Sequence, residues 1–217
     1  MISDTTNKFA SSAVGCFPTN FLAARHNPLC FNRVSKLGYR FAQHDWPRQL
    51  ARLQELQYRA AIVGQQGSGK TTLLSELVGQ LDGSNISNHH VFLPRETTEH
   101  RTIVGRAIKR CRRGAVILVD GVERLGFIQR RRLVTQTKRG PGLVVAVHRP
   151  CKLSTWVHCR TNPELMRSVL LDLGLRDPAI LASGNQAFEN SGGNIREALR
   201  ELYDQFASGR FNDILSA

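Results

Sequence analysis

The sequence predicts an α/β domain in which a parallel sheet is covered by helices on both faces. Short apolar runs over 60–63, 115–119 and 143–147 are typical of buried parallel strands. Segments with apolar residues at helical spacing separate these runs, so each strand is joined to the next by a crossover. From Asn162 onward the pattern is purely helical, which indicates a small helical lid after the sheet.

The elements can be placed in chain order from their local signals. Asp45 is a good N-cap for a first helix, and Pro47 fits its first turn, where a missing N–H costs little. Asp82 and Gly83 end the helix that follows the first strand. The predicted strands cover 60–63, 90–93, 115–120, 143–147 and, as an edge strand, 154–158. The predicted helices after the first strand cover 70–81, 97–112, 123–138, 163–173, 178–189 and 195–206.

A glycine-rich loop joins the first strand to its helix. It reads Gly64-Gln65-Gln66-Gly67-Ser68-Gly69-Lys70-Thr71-Thr72, which matches GxxxxGK[ST] in the context of a phosphate-binding loop. The glycines let backbone N–H groups turn toward phosphate oxygens, and the helix adds the positive end of its dipole. We expect this loop to bind ATP, with Lys70 on the β and γ phosphates and the Thr71 hydroxyl on Mg²⁺. The alternative is an ordinary glycine turn before a helix.

These signals divide the chain into three parts. Residues 1–43 are a flexible or irregular N-terminal segment, 44–160 are a P-loop NTPase α/β core, and 161–217 are the helical lid.

Two carboxylates follow the apolar strand over 115–120. Asp120 ends this strand at the edge where open α/β sheets bind ligands, so we expect it to accept hydrogen bonds from Thr71 and from Mg²⁺-bound water. The alternative is an Asp that caps the next turn. Glu123 either polarises the attacking water of an NTPase or only favours the dipole of the helix that it begins.

Two further polar residues are candidates for contact with the phosphates. His148 ends the next strand and either hydrogen-bonds to the γ phosphate or has only a backbone partner. Arg196 begins the last helix and can clamp the phosphates in bidentate geometry if the lid folds over them; otherwise it is one solvated arginine among many. The candidate catalytic residues are accordingly Lys70, Asp120, Glu123, His148 and Arg196.

The charge points to a polyanionic partner. The chain carries a net charge of +13 and has a pI near 10.4. Nucleotide binding needs only one or two cations, so most of this charge is surplus. The stretch 101–139 is rich in Arg and Lys, and its only acids are Asp120 and Glu123. We expect its helices to contact DNA or RNA; an acidic protein partner or a merely solvated basic face is the alternative.

The compartment is predicted from what the chain lacks. No apolar run approaches the roughly 18 residues that span a bilayer, and residues 1–20 have no apolar core of a signal peptide. The five cysteines are widely spaced, which is typical of free thiols in a reducing compartment. We therefore expect a cytoplasmic protein without a membrane partner.

Together these residues resemble the AAA+ ATPases of the P-loop NTPase superfamily. The loop over 64–72 resembles Walker A, the strand ending in Asp120 resembles Walker B, and His148 stands where these proteins carry a sensor. The stretch Ser191-Gly192-Gly193-Asn194-Ile195-Arg196 is similar to their second sensor motif. The resemblance covers about 45–206 and looks closest to small ATPases of the replication-initiator and transposition-helper type. It implies a five-stranded sheet of order 5-1-4-3-2, a helical lid, and an ATP-driven switch or motor that acts on a nucleic acid or protein assembly, including an assembly of its own copies.

The chain departs from this family at two points. Gly121 follows the Walker B Asp, where AAA+ proteins usually carry Glu, so we expect slow hydrolysis. No arginine finger can be assigned, and Arg139 and Arg149 are only candidates. Two other functions stay open: a P-loop kinase that phosphorylates a small acceptor beneath the arginines of 101–139, and a non-hydrolysing binding module gated by nucleotide.

Overall fold

Five parallel strands build the central sheet. A computed structural model of the chain describes residues 26–39, 46–95, 99–111, 113–138 and 140–215. The strands are β1 (Arg59–Gly64), β2 (Asn88–Phe92), β3 (Val116–Asp120), β4 (Gly142–Val147) and β5 (Ser154–Cys159). Their spatial order is β2-β3-β4-β1-β5, which is the predicted order 5-1-4-3-2 read from the opposite edge. The predicted fold class is therefore confirmed, including the edge position of β5.

Helices lie before, between and after these strands. They are α1 (Phe31–Val34), α2 (Trp46–Glu55), α3 (Lys70–Gly83), α4 (His100–Arg110), α5 (Phe127–Gln136), α6 (Pro163–Asp172), α7 (Pro178–Asn190), α8 (Ile195–Ala207) and α9 (Asn212–Leu215). The predicted N-cap Asp45 and the predicted first turn of α4, before residue 99, lie outside the described residues. Among the helices that are described, none is both long enough and apolar enough to cross a membrane.

The residues of β1 show that helices cover both faces of the sheet. Ala60 and Ile62 belong to the cluster that contains the leucines of α3, whereas Ala61 and Val63 belong to the cluster that contains Val104 of α4. Successive side chains of a strand point to opposite faces, so this alternation places one helical layer on each side. The four β1 residues are at most 4% exposed, as their uninterrupted apolar sequence predicts.

The predicted start of the helix over 123–138 is wrong. Val122–Arg124 form a 3-10 turn instead, Leu125 is extended, and α5 begins only after Gly126. Leu125 is 1% exposed in the core beneath α4 and α5, and the extended backbone there turns its side chain inward. The backbone N–H of Gly126 donates to the side chain of Gln129 at 3.2 Å, which caps the later helix start.

The lid helices begin as the sequence predicts. Asn162, Asp177 and Asn194 are N-caps whose side chains accept from the first turns of α6, α7 and α8. These helices pack around their own apolar cluster, which includes Met166, Leu170, Leu202 and Phe206.

The segment 26–39 connects this lid to α3. Leu29 is buried in the lid cluster, and the side chain of Asn27 donates to Tyr203 O at 3.0 Å. At its other end, the backbone N–H of Tyr39 donates to the Glu76 carboxylate on α3. The segment therefore lies against both the lid and the helix that follows the glycine loop.

Candidate active site

The glycine loop between β1 and α3 has a backbone that side chains would disrupt. Gly67 and Gly69 have φ of +75° and +84°, the left-handed region that favours glycine. A Cβ at Gly64 would lie 2.5 Å from both Cys159 O and Ser68 Oγ. Glycine is thus required at the first position by close approach, and at the other two by conformation.

Lys70 lies inside this loop. It is 8% exposed, and its Nζ donates to Gly64 O at 2.8 Å and to Gln65 O at 2.6 Å. Burial lowers the pKa of the Lys70 ammonium, while Cys159, Glu123 and Asp120 oppose that shift. The two loop carbonyls therefore fix the Lys70 ammonium inside the loop, next to the exposed Gln65 and Gln66.

Thr71 and Asp120 contact each other although the strands that lead to them, β1 and β3, are not neighbours in the sheet. Thr71 Oγ1 donates to Asp120 Oδ2 at 2.7 Å, and Asp120 is 7% exposed. Thr71 follows the end of β1, Asp120 ends β3, and β4 lies between these two strands. This is the pair that the sequence predicts for a metal site, and its oxygen atoms are the donors that Mg²⁺ prefers.

Glu123 and His148 also come together. His148 Nε2 lies 3.5 Å from Glu123 Oε1, with side chains 43% and 34% exposed. Glu123 Oε2 is buried and has no hydrogen-bond partner among the described residues. The 3-10 turn carries Glu123 to the end of β4, so the two separately predicted candidates form one polar pair.

Arg124 fills the space beside Gly121, a contact that the sequence did not predict. A Cβ at Gly121 would lie 3.0 Å from Arg124 Nη1 and 3.1 Å from Leu93 O, and its φ is +81°. The Arg124 guanidinium also lies over the Phe92 ring, with Cζ 5.3 Å from the centroid. A longer side chain at position 121 would displace this arginine.

The lid contacts the loop through the start of α8. A Cβ at Gly67 would overlap Asn194 Oδ1, and it would lie 2.5 Å from Asn194 Cγ and 3.3 Å from the backbone N of Arg196. The exposed guanidinium of Arg196 is close enough to Lys70 to lower the pKa of that lysine. The structure thus brings Arg196 to the loop together with Asn194, and the predicted contact of Arg196 with phosphates stays a prediction. The cap-like sequence Gly192-Gly193-Asn194 marks a helix start, but it does not indicate which loop that start contacts.

Tyr39 is a second residue at the loop that the sequence did not predict. Its ring lies beside Gly69, where a Cβ would be 3.1 Å from Tyr39 Cδ2. Burial, followed by the hydrogen-bonded Cys159 thiol, raises the pKa of the Tyr39 hydroxyl. No motif surrounds this tyrosine, so only the tertiary structure reveals its position.

The chain is similar to known proteins in its fold and not in its sequence. No protein-family model matches the chain, and no curated protein sequence matches it. Solved structures of RuvB from Thermotoga maritima have a similar fold. The RuvB Holliday junction branch migration motor aligns with a TM-score of 0.52 at 18% identity, over 78% of this chain and 61% of that chain. A mutant of the same protein aligns with a TM-score of 0.51 at 16% identity, over 79% of this chain and 64% of that one.

This likeness defines the class of fold. The chain has the fold of these RuvB structures, and its own five parallel strands have the order β2-β3-β4-β1-β5 with helices on both faces. It spans less than two thirds of the length of the RuvB chains that it matches.

Proposed function

We propose that this protein is an Mg²⁺-dependent P-loop ATPase of AAA+ type that works as a nucleotide-driven switch or motor. The observation that carries the proposal is the 2.7 Å hydrogen bond from Thr71 to Asp120. It joins the glycine loop to a carboxylate from another strand, as a site for a metal-bound triphosphate requires. The fold shared with RuvB, which is described as a branch migration motor, also supports this function.

The loop over 64–72 is proposed to bind the phosphates of ATP. The left-handed backbone at Gly67 and Gly69 lets loop N–H groups turn toward an anion, and the start of α3 offers unpaired N–H donors. The Lys70 ammonium, which now donates to two loop carbonyls, would instead pair with the β and γ oxygens. Charge-assisted bonds to phosphate are stronger than bonds to neutral carbonyls, which favours this exchange.

Thr71 and Asp120 are proposed to hold Mg²⁺ directly or through its waters. A buried carboxylate beside a hydroxyl fits a hard cation, because such ions take oxygen ligands. When bound, the metal supplies neutralisation of the charge on the triphosphate. Asp120 and Thr71 keep their positions through the strand end and the helix start that carry them.

Glu123 and His148 are proposed to act together near the γ phosphate. The unpaired, buried Oε2 of Glu123 can accept a proton or hydrogen bond from an attacking water, while His148 orients the other carboxylate oxygen. Arg196 would contribute from the lid by pairing with phosphate oxygens. In this proposal the attacking water is activated by residues next to the ends of β3 and β4, and α8 covers the phosphates from the lid.

A second function, a nucleotide-gated module that does not hydrolyse ATP, is favoured by the packing at Gly121. Arg124 occupies the place where a glutamate would extend, and Glu123 reaches the site only through the 3-10 turn. If this turn holds Glu123 away from the water, the protein binds ATP and hydrolyses it slowly or not at all. The same packing leads us to expect slow turnover for the ATPase itself.

The test is a titration with a fluorescent ATP analogue and Mg²⁺. Lys70→Ala should weaken binding at least tenfold, since charge-assisted bonds to phosphate are lost. Lys138→Ala is the matched control, because that lysine is exposed beyond the end of α5 and should leave affinity unchanged. Asp120→Asn should reduce the dependence on Mg²⁺. Equal affinity of the wild type and the Lys70 variant would contradict the proposal.

Phosphate release then separates the two functions. Turnover that disappears in Glu123→Gln, with nucleotide affinity retained, supports the ATPase. Tight binding with no turnover, both with and without DNA or RNA, supports the gated module. Light scattering with a slowly hydrolysed ATP analogue shows whether nucleotide assembles several copies of the chain.

A further inference from the structure

Three large apolar side chains are exposed near the start of α5 and the end of β2. Phe92 is 56% exposed, Phe127 is 74% exposed and Ile128 is 79% exposed. Exposed apolar residues that stand singly are ordinary, but a contiguous group marks a site of interaction. Whether these three form one group depends on the residues between them.

Arg124 is half-buried, lies over the Phe92 ring and shortly precedes the start of α5 in the chain. Its guanidinium carbon lies 5.3 Å from the centroid of the Phe92 ring. Only Leu125 and Gly126 separate Arg124 from Phe127, and three residues of extended chain reach about 10 Å at most. We call Phe92, Arg124, Phe127, Ile128, Arg131 and Arg132 together the α5 surface.

The second turn of α5 adds arginines to this surface. Phe127 and Arg131 are four residues apart, as are Ile128 and Arg132, so each pair shares a helix face. All four side chains are exposed, whereas Leu133 of the same helix is buried. Neither arginine forms an ion pair within the part of the chain that the structure describes. Aromatic and cationic groups therefore stand side by side in solvent.

We propose that the α5 surface binds single-stranded nucleic acid, with phosphates on the arginines and bases stacked on the phenylalanine rings. Proteins that hold single strands combine a basic track with aromatic side chains on which bases stack. In a duplex the bases already stack on one another, so exposed rings would gain little. The guanidinium group suits phosphate better than an ammonium does, and this surface carries only arginines as cations.

The inference goes beyond the proposed function, because it names a partner class for the basic stretch 101–139, and it does not require ATP hydrolysis. Phe92 is in register with Asp120 across β2 and β3, so the α5 surface adjoins the candidate active site. The binding is nevertheless assigned to residues outside the glycine loop. It can be measured without nucleotide, so a failure here is distinguishable from a failure of ATP binding.

The experiment measures the fluorescence anisotropy of a labelled 20-nucleotide oligo(dT) with the full chain, in a salt series and without ATP. Phe127→Ala should weaken binding about 5- to 150-fold, the range for one stacked base. Its salt dependence should not change, since no phosphate contact is removed. Arg131→Ala should instead reduce the slope of log K against log salt by about 0.7. Phe127→Trp should restore affinity, whereas Phe127→Leu should not.

Phe31→Ala is the matched control. Phe31 is 82% exposed on α1, in the segment that contacts the lid and α3 and outside the α5 surface, so its removal should leave the affinity for oligo(dT) unchanged. Equal affinity of wild type and Phe127→Ala would overturn the proposal, because binding would then depend on charge alone. Tighter binding to a 20-base-pair duplex, or to an acidic peptide of equal charge, would also overturn it. A wild-type protein that binds ATP but does not bind oligo(dT) would overturn this inference while leaving the proposed nucleotide site unaffected.

Discussion

Gly67→Ala tests the contact between the glycine loop and the lid. The φ of +75° at Gly67 makes any L side chain unfavourable by about 1–2 kcal/mol. The new Cβ would also overlap Asn194 Oδ1, so this side chain must turn away. Asn194 is the N-cap of α8 and accepts from Glu197 N at 3.3 Å. Loss of such a cap costs about 1 kcal/mol, which brings the expected destabilisation to about 2–3 kcal/mol.

Urea unfolding followed by circular dichroism measures this change. For a domain of this size the same free energy corresponds to a fall in Tm of about 4–12 °C. Gly79→Ala is the control, because Gly79 lies within α3 and a Cβ there meets nothing within 4 Å. That substitution should stabilise the protein by about 0.5–1 kcal/mol, as expected for Gly to Ala in a helix.

A double variant separates backbone strain from the lid contact. Asn194→Ala alone should cost about 1 kcal/mol, and adding Gly67→Ala should bring the total only to that of Gly67→Ala, since the cap is lost once. The coupling is therefore about 1 kcal/mol. If the two effects instead add to within about 0.5 kcal/mol, the residues do not touch and the described packing of α8 on the loop is wrong.

Two further outcomes concern a partly buried hydrogen bond and a buried thiol. Arg59 donates to Thr137 O at 2.6 Å at the end of α5, so Arg59→Met should lower the unfolding free energy by about 1–3 kcal/mol. Arg52→Met, which removes only an exposed 3.4 Å contact, should change it by less than about 0.5 kcal/mol in the same urea assay. Burial raises the pKa of the Cys159 thiol, so less thiolate is present at pH 8 and alkylation should be slower than at the exposed Cys151. Peptide mass spectrometry after iodoacetamide treatment measures both rates, and equal rates would contradict the burial of Cys159.

The strands and the loop could be predicted because their signals are local. The apolar run of β1, the glycines after it and the carboxylate at the end of β3 stand next to one another in the sequence. The start of α5 could not be predicted in this way, because the extended conformation of Leu125 is set by the core into which its side chain packs. The helical pattern over 123–138 does not reveal that packing of Leu125 in the core prevails over helix formation at its N-terminal end.

Contacts between distant segments explain what the sequence did not reveal at the site. Asn194 has the signal of a helix cap, but its contact with Gly67 depends on how the lid lies over the sheet. Tyr39 has no local signal at all and is identified only by its place beside Gly69. Arg124 is one of many arginines, and it is distinguished by the space that Gly121 leaves. The division of the chain into segments and the roles of all the candidate site residues stay predictions, from the loop over 64–72 with Lys70 and Thr71 to Asp120, Glu123, His148 and Arg196.

The packing of residues 26–39 has a practical consequence for dissecting the protein. A fragment that starts at residue 46 would retain each strand, the phosphate loop and the sensor-like sequences. It would nevertheless remove Leu29 from the interior of the lid and Tyr39 from the side of Gly69. The span that carries the recognisable motifs is therefore shorter than the unit that folds, and truncation boundaries should be chosen upstream of Asn27.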